Sequence, residues 1–206
     1  MVGWAAGALV VLLAVTGAVY LKATDDAADQ LVLRWRQSPP DCGNAKVRPA
    51  RDDQFGGLTP AAIVVTEDFR CTIVVEVLNT SERSIHLDHA VAPGVGPETG
   101  TVVRVAPRSH PQGGREDGLG LERAGLDAYV EIMGSEGSAL DAGQSTTFEI
   151  DLAFNPAGCN EGVTVWRDAW PEVHFSVMGR DFVRPAANTL AFFHRGRTPG
   201  CSSRGG

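Results

Sequence analysis

Two periodicities divide the chain. Val2 to Leu21 is an unbroken run without a charged side chain, and at about 1.5 Å rise per residue about twenty residues make a helix of about 30 Å, the thickness of bilayer hydrocarbon. Trp4 and Tyr20 lie near its two ends and Lys22 follows at once, the arrangement that membrane interfaces favour. This pattern predicts an uncleaved single-pass anchor over 1–22. A cleaved leader would need a basic start and a small-x-small site, and Ala18-Val19-Tyr20 puts a large ring where a small residue belongs. Gly3 and Gly7 are spaced as in helix dimers, but glycine is common throughout spans.

From Ala61 onward the period is two. Phe69 to Leu78 places Cys71, Ile73, Val75 and Val77 on one face and Thr72, Val74, Glu76 and Leu78 on the other. Turn formers at 79–84 lead into Ile85 to Ala92, so these two segments are expected to make a hairpin. Further strands are expected at 61–66, 101–106, 126–133, 146–154, 163–167, 172–178 and 188–194, with Gly179-Arg180 turning the chain into a short strand, Phe182 to Arg184. Short strands with one apolar face bury it by packing two sheets together. The expected fold is therefore all-β, an antiparallel two-sheet sandwich behind one N-terminal transmembrane helix. The domain plan is an anchor at 1–22, a turn-rich tether at 23–60, a sandwich ectodomain at 61–194 and a flexible basic tail at 195–206. Within the tether, Leu31, Leu33 and Trp35 alternate as in an edge strand, while Ala28, Leu31, Val32 and Trp35 also fit a helix face.

The strand-turn-strand run from Cys71 to His89, and the later Gly143-Gln-Ser-Thr-Thr-Phe-Glu-Ile-Asp-Leu followed by Cys159, resemble the immunoglobulin-like ectodomains of actinobacterial membrane-anchored or secreted proteins. The resemblance implies an immunoglobulin-like sandwich and a place in the cell envelope, and no activity. The chain departs from true immunoglobulin domains in having no Trp shortly after Cys71 and in placing Cys159 after its strand.

Charge narrows the partners. Against 18 Lys and Arg stand 25 Asp and Glu, a net charge of -7, which offers no attraction to phosphate backbones, so nucleic acid is not expected. Only Lys22 and Lys46 are lysines, a skew typical of GC-rich bacterial coding sequence. Positive residues after the span, Lys22, Arg34 and Arg36, favour a cytoplasmic carboxyl side. The four cysteines, Cys42, Cys71, Cys159 and Cys201, have no Cys-x-x-Cys pair and suit two structural disulfides in an oxidising compartment. The cysteines decide the expectation, a cell-membrane protein with its C-terminal domain extracytoplasmic. Three pairings are open, of which Cys71 with Cys159 and Cys42 with Cys201 is favoured.

Tests for chemistry return little. His86-Leu87-Asp88-His89 offers three ligating side chains, but an extended strand points His86 and Asp88 one way and His89 the other unless a bulge intervenes. His174 and Met178 lack the Cys and second His of a blue-copper loop. Gly134-Ser-Glu-Gly-Ser has the wrong register for a hydrolase elbow. The glycine-rich stretch 107–125 reads as an exposed loop. No catalytic residue, metal or cofactor is assigned and an enzyme is not expected. The one candidate binding patch is Trp166, Arg167, Asp168 and Trp170, two indoles flanking an Arg and an Asp at a strand end. The expected role is a binding or accessory module for an envelope protein or wall component, with a secreted hydrolase, a metal-handling protein or a passive scaffold as rivals.

Overall fold

The structure, a computed structural model, describes residues 2–38, 40–43, 45–49, 61–103, 127–131, 138–160, 164–167, 169–195 and 198–203, with side chains from Val11 onward except at 48, 49, 61, 103, 129, 131, 138, 164–166, 202 and 203. Its elements are α1 (Val2–Asp29), β1 (Leu31–Trp35), β2 (Val47–Pro49), β3 (Ala61–Val65), β4 (Arg70–Asn79), β5 (Ile85–Ala92), β6 (Thr101–Val103), β7 (Ala128–Glu131), β8 (Ser138–Leu140), β9 (Ser145–Phe154), β10 (Thr164–Arg167), β11 (Glu172–Val177), β12 (Arg180–Pro185) and β13 (Leu190–His194), then a 3-10 turn over Pro199–Ser203.

The described strands form three hydrogen-bonded sheets where two were expected. One runs β1-β4-β9-β6, a second β10-β13-β3-β2, and a third β12-β11-β5-β7 with β8 also beside β5. All pairs are antiparallel except β13 with β3. Alternation built this core. Ile73, Val75 and Val77 of β4, Ile150 and Leu152 of β9, Ile85 and Leu87 of β5, and Val173, Phe175 and Val177 of β11 join one buried cluster, each large aliphatic stabilising by about 1.5–3 kcal/mol.

The expected hairpin does not form. β4 pairs with β1 and β9, whereas β5 pairs with β11, β7 and β8, so residues 80–84 carry the chain from one sheet to another. Fully buried Asn79 holds that crossing. Its amide donates to the carbonyls of Arg83, Leu140 and Asp141, and its Oδ1 accepts from the backbone N–H and hydroxyl of Ser81. The glycine turn is shifted by one residue. Val177 pairs with Arg180, leaving Met178 and Gly179 as the turn, at φ of 51° and 82°, the two positive angles of a type I′ hairpin.

Of segment 23–60, expected as a tether, the described residues up to Pro49 contribute to the body. α1 continues to Asp29 and β1 begins one residue after Gln30, in register along β4 from Leu31 opposite Asn79 to Trp35 opposite Val75. Thr24, Ala27 and Ala28 are buried. Arg180 donates to Leu21 O, Thr24 Oγ1 and Asp25 Oδ1, and Arg184 to the side chain and carbonyl of Asp29. Arg184 thus sits at the negative end of the helix dipole.

The single-pass anchor must be corrected as well. Among the described residues no helix is long and apolar enough to cross a membrane. The run of large apolar side chains ends at Leu21, where Lys22 enters and pairs with Asp26; beyond it the helix carries Asp25, Asp26 and Asp29 and packs Ala27 and Ala28 on the core. Tyr20, expected at a headgroup boundary, donates its hydroxyl to Met178 O at 2.8 Å. The expected single-pass cell-membrane localisation is therefore not supported.

Two disulfides form with a different pairing from the favoured one, Cys42 with Cys71 and Cys159 with Cys201. Cys42 lies beside the start of β4 because Asp41 bridges to Thr72. Cys201 belongs to the segment expected as a free tail. Its described part, 198–203, is docked: Thr198 and Cys201 are buried, and Thr198 Oγ1 donates to Gly158 O while accepting from Asn160 N.

Candidate functional site

Of the patch expected around Trp170, the described side chains, Trp170 and Arg167, are built into the body. Trp170 is 1% exposed, stands edge-on to Trp35 at 6.3 Å, and donates its indole N–H to Pro93 O, while its carbonyl accepts from the Trp35 indole. Arg167 also donates to Pro93 O and lies flat against Gly94, where an added Cβ would fall 1.9 Å from the guanidinium. Gly94 N donates to Asp127. Burial lowers the pKa of Arg167 and the Asp127 charge opposes that shift. Both residues therefore fix one end of the body. Asp168 and the Trp166 side chain lie outside the described residues.

A different cluster faces outward from the β5-β11 ladder. Its register runs His174 opposite His89 and then Phe175 opposite Leu87, so Asp88 is the extra residue of a bulge. A bulge resets side-chain alternation. His86 and Asp88 are exposed and His89 is half-buried, while Leu87 and Ala90 point into the core. One strand thus presents all three polar side chains on the same side, the exception that strict alternation had ruled out.

Across the ladder, the His89 and His174 rings stack with centroids 4.4 Å apart and planes 15° from parallel. Asp88 Oδ2 lies 2.9 Å from His89 Nδ1. The pKa of His174 is lowered, first by burial and then by His89, with Asp88 acting in the opposite direction. Ser176 pairs with His86 and Asp181, and Glu172 with Pro185 and Val91, so the outer side carries imidazoles and carboxylates. Such a surface can hold protons and attract cationic groups. Among the described residues no three His, Cys, Asp or Glu side chains are grouped to hold a metal; near-parallel rings aim their lone pairs alongside each other instead of at one ion.

His194, which sequence patterning did not single out, is 4% exposed with Thr101 Oγ1 3.3 Å from its Nε2. Burial lowers its pKa to about 4. Because the unfolded ring titrates near 6.5, the unfolded chain binds the extra proton between these values. The stabilisation is complete above about pH 6.5 and is lost as pH falls toward 4, by about 3 kcal/mol in all. Urea melts at pH 7 and pH 4.5 should show this slope reduced in His194→Leu; an equal slope in both proteins would refute the assignment.

No protein family and no curated protein matches the chain. Among solved structures it is similar to the Pseudomonas fluorescens alkylpurine DNA glycosylase AlkC bound to DNA containing an abasic site analog, at 12% identity and TM-score 0.31, covering 81% of this chain and 30% of that one. It is also similar to the ASH / PapD-like domain 7 of human CEP192, at 12% identity and TM-score 0.27, covering 78% and 92%. A β-glucosidase from Paenibacillus barengoltzii gives 12% identity and TM-score 0.20 over 77% of this chain and 14% of that one. The chain thus spans under a third of the glycosylase's length.

Proposed function

We propose that this chain is a non-catalytic binding module, with an immunoglobulin-like layering of its sheets, whose contact surface is the outer side of the β5-β11 ladder. The observation that carries this reading is the gathering of His86, Asp88, His89 and His174 on one side of one sheet, with the two rings stacked across strands. Glu172 and Asp181 extend the same side. Carboxylates and imidazoles without a neighbouring Lys or Arg on β5 or β11 fit a partner that presents positive charge, because complementary potentials speed encounter and set orientation.

A photo-crosslinking residue placed at Ser176, in the middle of this surface, should capture a discrete partner in native extract. The same residue at exposed Glu149 of β9, on another sheet, should not. Equal capture from both positions, or none from Ser176, would overturn the assignment.

A further inference from the structure

We propose that His89 and His174 form a proton-operated latch on the β5-β11 ladder: the rings remain stacked while the pair carries at most one proton, and a second proton drives them apart and loosens the ladder at the Asp88 bulge. Neutral imidazoles stack face to face without electrostatic cost, whereas two imidazolium charges at a centroid separation of 4.4 Å repel strongly. Interacting sites of this kind lose their protons in two steps that belong to the pair. Asp88 Oδ2 lies against Nδ1 of His89, while burial and then His89 lower the pKa of His174.

The surroundings on each strand are consistent with this order. On β5 the pair faces His86 and Asp88, and on β11 it is flanked by Glu172 and Ser176. On β12, Val183 stands opposite His174 and Asp181 opposite Ser176. On β7, Glu131 pairs with His89, and on β8, Ala139 pairs with His86. Asp88 thus brings a carboxylate to the pair from the His89 side. The bulge already interrupts the ladder between His174 and Phe175, so it is the place where an opening force acts on the fewest regular bonds. On one side of that junction lie β11 and β12, which hold α1 through Arg180 and Arg184; on the other lie β5, β7 and β8. Acid would therefore loosen the helix-bearing hairpin from the rest of its sheet. The latch does not require a bound partner, so it can fail without the binding reading failing.

The test is a titration of the imidazole Cε1–H resonances in the full oxidised chain, joined to amide exchange at Leu87, His89, His174 and Phe175. His174 should titrate below the ordinary histidine range. Its midpoint should rise by about half a unit or more in His89→Gln and fall in Asp88→Asn. His89→Phe, which keeps a flat ring at the stack without its charge, should also raise the midpoint. Amide exchange at the four positions should increase about tenfold or more across the His174 titration in the wild type and stay level in His174→Gln. A His174 midpoint that is the same in wild type, His89→Gln and His89→Phe would overturn the latch, as would exchange unchanged through that titration.

Discussion

Trp170→Ala is expected to cost about 4 kcal/mol of folding stability, within the usual range for truncating a buried aromatic. The side chain is among the largest that are fully buried, and its loss opens a cavity beside Trp35, which it meets edge-on. The hydrogen-bond penalty is smaller. Pro93 O keeps its bond from Arg167, and the Trp35 indole bonds to a backbone carbonyl that alanine retains. With domain stabilities of about 5–15 kcal/mol, such a loss should lower Tm by roughly 10 °C. Urea denaturation of wild type, Trp170→Ala and Trp170→Phe reads this directly, with the phenylalanine variant intermediate. A loss below about 1 kcal/mol for the alanine variant would place the indole at the surface and restore it as a recognition residue.

Opening the two disulfides should be costlier still. Cys42 and Cys71 are separated by 29 residues and Cys159 and Cys201 by 42; the chain-entropy relation gives about 4 kcal/mol for each bridge. Together they amount to much of the net stability of a domain. Reduction at neutral pH should therefore bring the chain close to its unfolding midpoint without denaturant, and Cys159→Ser with Cys201→Ser should also release the docked C-terminal segment to proteolysis. Peptide mapping without reductant should recover Cys42 joined to Cys71 and Cys159 joined to Cys201. Recovery of Cys71 joined to Cys159 would overturn the pairing, and a fully reduced chain with unchanged stability would overturn the energetic assignment.

Which segments were legible from sequence follows from how local their causes are. Cys71, Ile73, Val75 and Val77 alternate with polar neighbours, so β4 could be read within one residue of its observed bounds, and β5 was read at its observed limits. Which strands pair was less accessible. The polar run 79–84 has the composition of a hairpin turn, and only the contact of Asn79 with Leu140 and Asp141, distant in sequence, makes it a crossing. The helix end was misjudged because Lys22 to Asp29 looks like solvated linker until Arg180 and Arg184 arrive from across the fold to bind it. Disulfide pairing depends likewise on Asp41 lying beside Thr72.

The candidate site was half visible. His86, Asp88 and His89 stand together in the sequence, but His174 joins them only through strand register, and the bulge that turns His89 outward has no marker such as glycine. Trp166 and Trp170 drew attention for the opposite reason. Aromatic residues beside Arg and Asp read as a recognition surface, yet the partner that buries Trp170 is Trp35, far away along the chain.

The direct passage from α1 into β1 has a mechanical consequence. With Gln30 alone between them and two arginines gripping the last turns, the helix cannot swivel independently of the body. A pull along α1 would load the β1-β4 hydrogen bonds from Leu31 to Trp35 together, in shear, and pass through β4 to the Cys42–Cys71 crosslink. The axis of α1 and the body beneath it therefore turn together.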